Sequence, residues 1–452
     1  MRIAYLAAGA AGMYCGSCLH DNTLAAALLA RGEDVLLVPT YTPLRTDEPS
    51  VAYRRVFFGG VNAYLKHASP LFRHTPRWLD RLLDQSWLLK LATANAGSVD
   101  PGKLGGLTVS MLRGEEGHQA RQLDELVDWL VDEARPDVVH LSNSMLLGMA
   151  RRIAQRCGPP VVCALSGEDL FLEALRPPHY EEARELLRER AAEVAGFTSL
   201  NGYYAGFMAD YLGVDRTKIH VVPHGLDLSG VPPGTERESP VTHQRLRVGF
   251  FARVAPEKGL HVLVDACERL AKRRPDLPFE LAAAGYLGLG ERDYLIDLRK
   301  RAAKGPLAGR FVYHGELDRA AKFAYLASLD LFATPTVWAE AKGLPAMEAL
   351  AVGVPVVLPA HGAFPELLDA TGGGVLHEPG DPESLCRAIE GLLGDPEARR
   401  RHGESGSLAI RERFHSDGMA EATLDVYRSL IDGAAPRANA LGSGATGAVS
   451  EP

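Results

Sequence analysis

The run AEAKGLPAMEALAVGVPVV, residues 339–357, carries two carboxylates eight residues apart, Glu340 and Glu348, which bracket Gly343-Leu344-Pro345. Pro345 suits the first turn of a helix, where a missing N–H leaves no bond unmade. Gly353-Val354-Pro355 then ends that helix ahead of a strand. Glu340 falls on the loop before the helix and Glu348 within its first turns, and the free N–H groups of the helix start open into the same space. Carboxylates accept hydrogen bonds from sugar hydroxyls, and helix-start amides suit a phosphate. The chemistry on offer is the holding of a sugar nucleotide. Two glutamates at this spacing also occur as plain structural residues, so spacing alone leaves both readings open.

A second cluster lies upstream. FFARVAPEKGL, residues 250–260, sets Arg253 at the end of an apolar strand and Lys258 five residues later, ahead of a helix beginning near Leu260. Ligands bind at the C-terminal ends of strands in open α/β sheets. A guanidinium grips two phosphate oxygens and an ammonium acts as a point charge, so this pair fits a diphosphate. Near the N-terminus, AAGAAGMYCGSCLHDN (7–22) can be read twice. Cys15 and Cys18 have the spacing of a redox dithiol at a helix start. Gly9, Gly12 and Gly16 instead form a loop that lets a ligand approach the backbone and that tolerates positive φ. A thioredoxin unit is a compact domain of its own, whereas this pair opens a chain of 452 residues. The ligand loop is therefore the reading adopted, with Cys15 and Cys18 as small fillers; oxidant sensitivity and a metal site are the minor alternatives.

These residues need a scaffold, and the sequence supplies one twice. Apolar runs at 2–8, 34–39, 137–143, 160–167, 196–201 and 219–225 read as strands with helical segments between them, the first of these at 21–32. A second alternating set follows at 246–253, 278–285, 310–315, 329–336, 354–360 and 373–379. Alternation of strand and helix implies parallel pairing with right-handed crossovers. The fold class is α/β, with two domains of similar size joined by a hinge. An N-terminal domain at 1–228 carries an excursion at 45–118, which holds Trp78, Trp87 and FFGGVNAYL (57–65) and has no strand period. A linker rich in proline and glycine follows at 229–245, then a C-terminal domain at 246–415. A helix at 416–432 packs back toward the N-terminal domain, and 433–452 has too few apolar residues to order itself.

Composition narrows the function classes. Hydrophobic residues make up 46% and charged residues 23%, as in a globular protein, and the formal net charge of −8 argues against a nucleic-acid binder. Six cysteines without a disulfide-framework spacing suit a reducing compartment. No apolar run approaches a membrane span, and the apolar start makes a poor signal peptide. A cytoplasmic location is expected.

The ordered motifs resemble those of the retaining glycosyltransferases of family 4. EAKGLPAMEA looks like the E-x7-E signature of that family, and ARVAPEKGL like its G-R-x-x-x-x-K-G segment at the expected distance upstream. VVPHGLDL (221–228), VYHGEL (312–317) and ASLDLFATPT (327–336) resemble its intervening stretches. The match covers residues 196–430 well and the first half more loosely, through the glycine loop and HLSNS (140–144). The resemblance implies a GT-B fold, two Rossmann-like domains facing across a cleft that holds the active site, with the donor on the C-terminal domain and most of the acceptor site on the N-terminal one. Arg253 and Lys258 would bind the donor diphosphate. Glu340 would contact the donor sugar, aided by backbone near Gly343 and Leu344, and Glu348 would bind the ribose. Gly12 and Gly16 would close over the diphosphate.

The resemblance also marks departures. Ser166, in LSGEDL, stands where many relatives have a histidine that reaches the donor sugar. Glu168 and Asp169 either supply polar contacts to sugar hydroxyls or cap a helix. Lys342 replaces a common aromatic or small residue, and His224 a common Asn. Asp21 and Asn22 cap the following helix or face the acceptor. The expected activity is retaining transfer of a hexose from a nucleoside-diphosphate sugar to an acceptor hydroxyl on a glycan, lipid or small molecule. Neither cofactor nor metal is expected, nor a protein nucleophile; a peripheral membrane contact follows if the acceptor is a lipid. Glucan extension is a sub-option, since FFGGVNAYL resembles glycogen and starch synthases. The rivals are a sugar-nucleotide epimerase of the same fold, a non-catalytic sugar-nucleotide-binding protein and a redox enzyme.

Overall fold

The central apolar runs form strands because their β-branched and aliphatic residues are buried on both faces by flanking helices, while runs at the sheet edges stay partly exposed. In the computed structural model, which describes residues 1–9, 16–53, 56–57, 101–232, 234 and 245–434, the first six are β1 (Arg2–Ala7), β2 (Asp34–Pro39), β3 (Val138–Leu141), β4 (Val161–Leu165), β5 (Gly196–Ser199) and β6 (Ile219–Val221). They pair in parallel in the order β2-β1-β3-β4-β5-β6. The second set is β7 (Leu246–Phe251), β8 (Phe279–Ala284), β9 (Phe311–Tyr313), β10 (Leu331–Ala333), β11 (Val356–Pro359) and β12 (Gly374–His377), again parallel, in the order β12-β11-β10-β7-β8-β9. Every strand expected from the sequence is present.

Strand order fixes where a ligand can sit. The direction of winding reverses between β1 and β3 in the first sheet and between β7 and β10 in the second, and the crevice beyond the strand ends at such a reversal is open to solvent. Helix α1 (Gly16–Ala30) follows β1; α2 (Leu260–Arg273) follows β7; α3 (Arg319–Ala327) precedes β10, and α4 (Leu344–Ala351) follows it. The last helix, α5 (Ser416–Ala434), belongs to the first lobe: Met419, Ala420, Leu424 and Tyr427 join Ile3, Tyr5 and Leu24 in one buried cluster.

The chain therefore crosses between the lobes twice, and the two crossings touch. Leu226 N–H donates to the Phe414 carbonyl at 2.8 Å, and Ser416 N–H to the Leu226 carbonyl at 2.9 Å. Gly225 permits this approach, because a Cβ there would lie 2.3 Å from the His415 carbonyl oxygen.

One local expectation is corrected. Helix α1 starts at Gly16, not at Asp21, so Asp21 and Asn22 lie inside it, past its cap position. Asp21 is buried and accepts the Tyr5 hydroxyl at 2.9 Å, while Asn22 binds the loop after β2 through the Pro49 carbonyl and the Val51 amide. Asp21 is thereby turned to the sheet. Of the 45–118 excursion, Pro101–Leu112 is helical and Phe57 packs on Trp129 at 5.1 Å between ring centroids. Trp78, Trp87 and 58–65 lie outside the described residues, as do Gly12, Cys15, most of 229–245 and the stretch from 435 onward. Cys18 is buried in α1. No helix among the described residues is long and apolar enough to cross a membrane.

Candidate functional site

The two switch points face each other, and between them lies a cavity of about 550 Å³. Its walls come from both lobes. Gly16 and Ser17 open α1, Ser166 and Asp169 follow β4, Arg253 and Lys258 follow β7, and the stretch from Thr334 to Ala346 leads into α4. Gly16 brings the lobes together: an added Cβ would sit 3.1 Å from Leu344 Cδ1, tighter than ordinary contact.

Residues from the E-x7-E run occupy the second lobe's wall. Gly343 takes a left-handed conformation (φ 72°) as the cap before α4, the conformation that favours glycine. This bend sets Gly343, Leu344 and Pro345, the start of the helix, in the cavity wall. Glu340, on the preceding loop, accepts the Lys258 ammonium at 2.5 Å. Burial alone would raise the Glu340 carboxyl, but Lys258, with help from Lys342, holds it below its ordinary value. Arg253 is ion-paired with Glu257. Thr336, nearly fully buried on the same wall, has a hydroxyl with no partner among the described residues.

Glu348 is buried in α4 and bonded at 2.6 Å to Lys322 of α3, which is itself only 3% exposed. Lys322 also reaches Asp47, from the loop after β2 in the first lobe, at 2.5 Å. Burial raises the Glu348 carboxyl despite the ammonium beside it. Burial pulls Lys322 the other way, but the two carboxylates outweigh it and hold Lys322 above its ordinary value. Neither Lys322 nor Asp47 stands in a motif, and no local pattern marks them.

More bonds cross the cleft. Lys342 donates to Ser17 Oγ at 2.5 Å, and Trp338 Nε1 to Asp169 at 3.0 Å. Asn201 donates to the Ala341 carbonyl at 2.7 Å, and Glu366 accepts the Gly202 and Tyr203 amides at 2.9 and 3.0 Å. Arg45 pairs with Glu316, and Arg319 with Glu48. The cleft is closed.

Of the residues singled out by sequence, Arg253, Lys258, Glu340, Gly343, Leu344, Glu348, Gly16, Ser166 and Asp169 all line this one cavity. Asp21 and Glu168 do not. Glu168 is buried, and its oxygens accept the Ser144 and Ser166 amides at 3.0 and 2.7 Å. It shapes the loop that presents Ser166, and unlike Ser166 and Asp169 it does not line the cavity. His224 is buried too, its Nδ1 2.7 Å from Nδ1 of His20. Among the described residues no group of three His, Cys, Asp or Glu side chains is arranged to hold a metal ion.

Comparison with known proteins agrees with this geometry. Residues 22–225 match the family described as "Glycosyl transferase 4-like domain", and residues 235–408 match "Glycosyl transferases group 1". The chain is 30% identical over 352 residues to a D-inositol 3-phosphate glycosyltransferase of Xylanimonas cellulosilytica, covering 72% of this chain and 77% of that one. It is 28% identical over 300 residues to a glycogen synthase of Mycobacterium tuberculosis, covering 65% and 69%. Among solved structures, sucrose-phosphate synthase from Thermosynechococcus elongatus superposes with a TM-score of 0.69 at 16% identity, over 96% of this chain and 100% of that one. Anabaena HepE, solved with UDP and glucose, gives 0.65 at 18% identity, over 95% and 100%. The chain belongs to the group 1, GT4-type glycosyltransferases, built on the GT-B fold and moving a sugar from a nucleotide sugar.

Proposed function

We propose that the protein is a retaining hexosyltransferase that moves a hexose from a nucleoside-diphosphate sugar to an acceptor hydroxyl without a metal. One observation carries this reading: Arg253, Lys258, Glu340, Glu348 and the start of α4 converge on a single cavity between the lobes. Arg253 and Lys258 hold the diphosphate, exchanging Glu257 and Glu340 for phosphate oxygens. Glu340, released from Lys258, accepts hydroxyls of the donor sugar beside the amides at Gly343 and Leu344. Glu348, fixed by Lys322, accepts the ribose hydroxyls. Gly16 lets the first lobe close over the diphosphate, and Ser166 and Asp169 face the reacting sugar.

The bond from the anomeric carbon to the diphosphate oxygen breaks, and a bond to the acceptor oxygen forms on the same face of the sugar. The acceptor's proton passes to the departing diphosphate. The carboxylates bind and do not attack. Fixed cations and helix-start amides stabilise the charge that grows on the leaving group, as preorganised donors do in a water-poor site. The solved relative holding UDP and glucose supports a uridine nucleotide, and the relatives named for inositol phosphate and glycogen support a polyol or glycan acceptor. The proposed site of action is the cytoplasm, with a peripheral membrane contact if the acceptor carries a lipid.

A panel of UDP-, GDP- and ADP-hexoses, each with and without acceptors, tests this. Transfer with retained anomeric configuration, unaffected by EDTA, is expected. Interconversion of donor sugars without any acceptor would instead make the protein an epimerase, and binding without turnover a sensor.

A further inference from the structure

Five basic side chains line the cavity: Arg45, Arg253, Lys258, Lys322 and Lys342. Four of them are met by carboxylates, Arg45 by Glu316, Arg253 by Glu257, Lys258 by Glu340, and Lys322 by both Asp47 and Glu348. Lys342 is different. Its ammonium donates to a neutral group, Ser17 Oγ, at 2.5 Å, and it forms no ion pair among the described residues. The carboxylate its charge acts on, Glu340, is already bonded to Lys258, so two cations share one counter-charge and an arriving anion is favoured.

The neighbours of Lys342 extend the same wall. Ser17 Oγ lies 3.4 Å from Ser166 Oγ, and both serines line the cavity. Three separate elements thus place two hydroxyls and one cation without an ion pair of its own side by side: the start of α1, the loop after β4 and the loop before α4. Independently, the buried Thr336 hydroxyl on the cavity wall also lacks a partner among the described residues. A neutral hexose needs no such cation. Arg253 and Lys258 already stand at the end of β7 for the diphosphate, and they bring their own exchangeable carboxylates.

We propose that Lys342, with Ser17 and Ser166, forms a subsite for a negatively charged group, a carboxylate or a phosphate, carried by the transferred sugar or by the acceptor and separate from the donor diphosphate. This deepens the reading above and rests on it. A hexuronic acid on the donor side, or a phosphorylated polyol on the acceptor side, presents that chemistry, and the two sources are separable.

The test compares two pairs of substrates in wild type, Lys342→Met and Lys342→Arg. One pair is UDP-glucose and UDP-glucuronic acid; the other is glycerol and glycerol 3-phosphate as acceptors. Binding of UDP is measured alongside, and thermal melting confirms that the variants fold. A charge-assisted hydrogen bond lost to a neutral ligand predicts a wild-type preference of about ten- to a hundredfold in kcat/KM for the charged member of one pair. Which pair shows it identifies the source. Lys342→Met abolishes the preference and leaves UDP affinity unchanged, and Lys342→Arg retains it. Equal use of both members of both pairs by wild type overturns the proposal, as does a preference that survives in Lys342→Met. Loss of UDP affinity in Lys342→Met also overturns it, making Lys342 a third diphosphate cation. Absence of UDP binding and transfer in wild type is a separate result, which removes the uridine-donor reading together with the subsite.

Discussion

Trp338 donates its indole N–H to Asp169 across the cleft at 3.0 Å, joining the loop after β10 to the short helix Asp169–Glu173 that follows β4. Asp169 is buried and also accepts the Tyr204 hydroxyl at 2.7 Å, so both of its oxygens are directed. Trp338 is 36% exposed and still lines the cavity, which makes its ring a wall of the site and its N–H a catch between lobes. Trp338→Phe keeps the ring and removes only the catch. A hydrogen bond to a charged group contributes about 1.5–3 kcal/mol, and partial exposure places this one at the lower end. The expected result is a fall in kcat/KM of about tenfold with unchanged affinity for free nucleoside diphosphate. Transfer within twofold of wild type would show that the bond has no part in the productive closed form.

Lys258 and Glu340 neutralise each other, so removing either should move nucleotide binding in opposite directions. Lys258→Ala takes away a phosphate cation and leaves Glu340 facing the incoming diphosphate. Donor affinity should fall by at least about a hundredfold, the scale of a lost charge-assisted contact plus the repulsion left behind. Glu340→Gln frees Lys258. Titration calorimetry should then show nucleoside diphosphate bound as tightly as in wild type or more so, while transfer is lost for want of a sugar contact. Equal loss of affinity in both variants would contradict these roles.

The parts of this site that were legible in the sequence are local ones. Arg253 and Lys258 sit on one strand-to-helix turn, and Glu340 and Glu348 on one loop and helix, so chain spacing reports their spatial spacing. The strands were legible for a similar reason: the central ones, buried on both faces, read as unbroken apolar runs closed by Gly or Pro. What escaped depends on lobe against lobe. Lys322 sits in RAAKFAYLA, an ordinary helical stretch, and its partner Asp47 is 275 residues away. Trp338 and Asp169 are 169 apart. Glu168 was a candidate sugar contact because nothing local shows that two backbone amides claim its carboxylate. Asp21 was misplaced because Gly16 and Ser17 are poor helix formers, which hid the true start of α1.

The Asp47–Lys322–Glu348 cluster should govern stability as well as binding. Lys322→Met would strand two carboxylates around a buried apolar chain, and breaking a buried pair in this way costs about 3–5 kcal/mol. Adding Glu348→Gln to Lys322→Met should recover part of that loss, which a non-specific packing defect would not allow. The deficit should also shrink as pH falls, because burial already favours a protonated Glu348 and the neutral acid needs no ammonium. Thermal midpoints of the single and double variants between pH 5 and pH 8 measure all three expectations. A single variant as stable as wild type would mean that the cluster is held by solvent and not by Lys322.

Acid should weaken the fold earlier than its carboxylates alone would. His20 and His224 share one hydrogen bond between their Nδ1 atoms, and His140 stacks on Tyr5 at 4.3 Å and bonds Tyr427 of α5. Burial lowers His20 and His140 to about 3 and His224 well below its ordinary value, with the charge of Lys342 adding to the effect on His20 and His224. An unfolded histidine titrates near 6.5. Below that pH the unfolded chain takes up protons that the folded chain refuses, so the stabilisation is complete above about 6.5 and is lost as pH falls toward 3. Each histidine contributes a slope of up to about 1.4 kcal/mol per pH unit. Because His224 lies where the chain crosses between lobes and Tyr427 ties α5 to the first sheet, the loss should loosen the hinge and the first lobe together. Unfolding midpoints should drop between pH 7.5 and 5.5, a window above the carboxylates' ordinary range, and His224→Asn should flatten that drop while lowering the midpoint at pH 7.5. A wild-type midpoint that stays level across the window would mean that these imidazoles gain protons without leaving the fold.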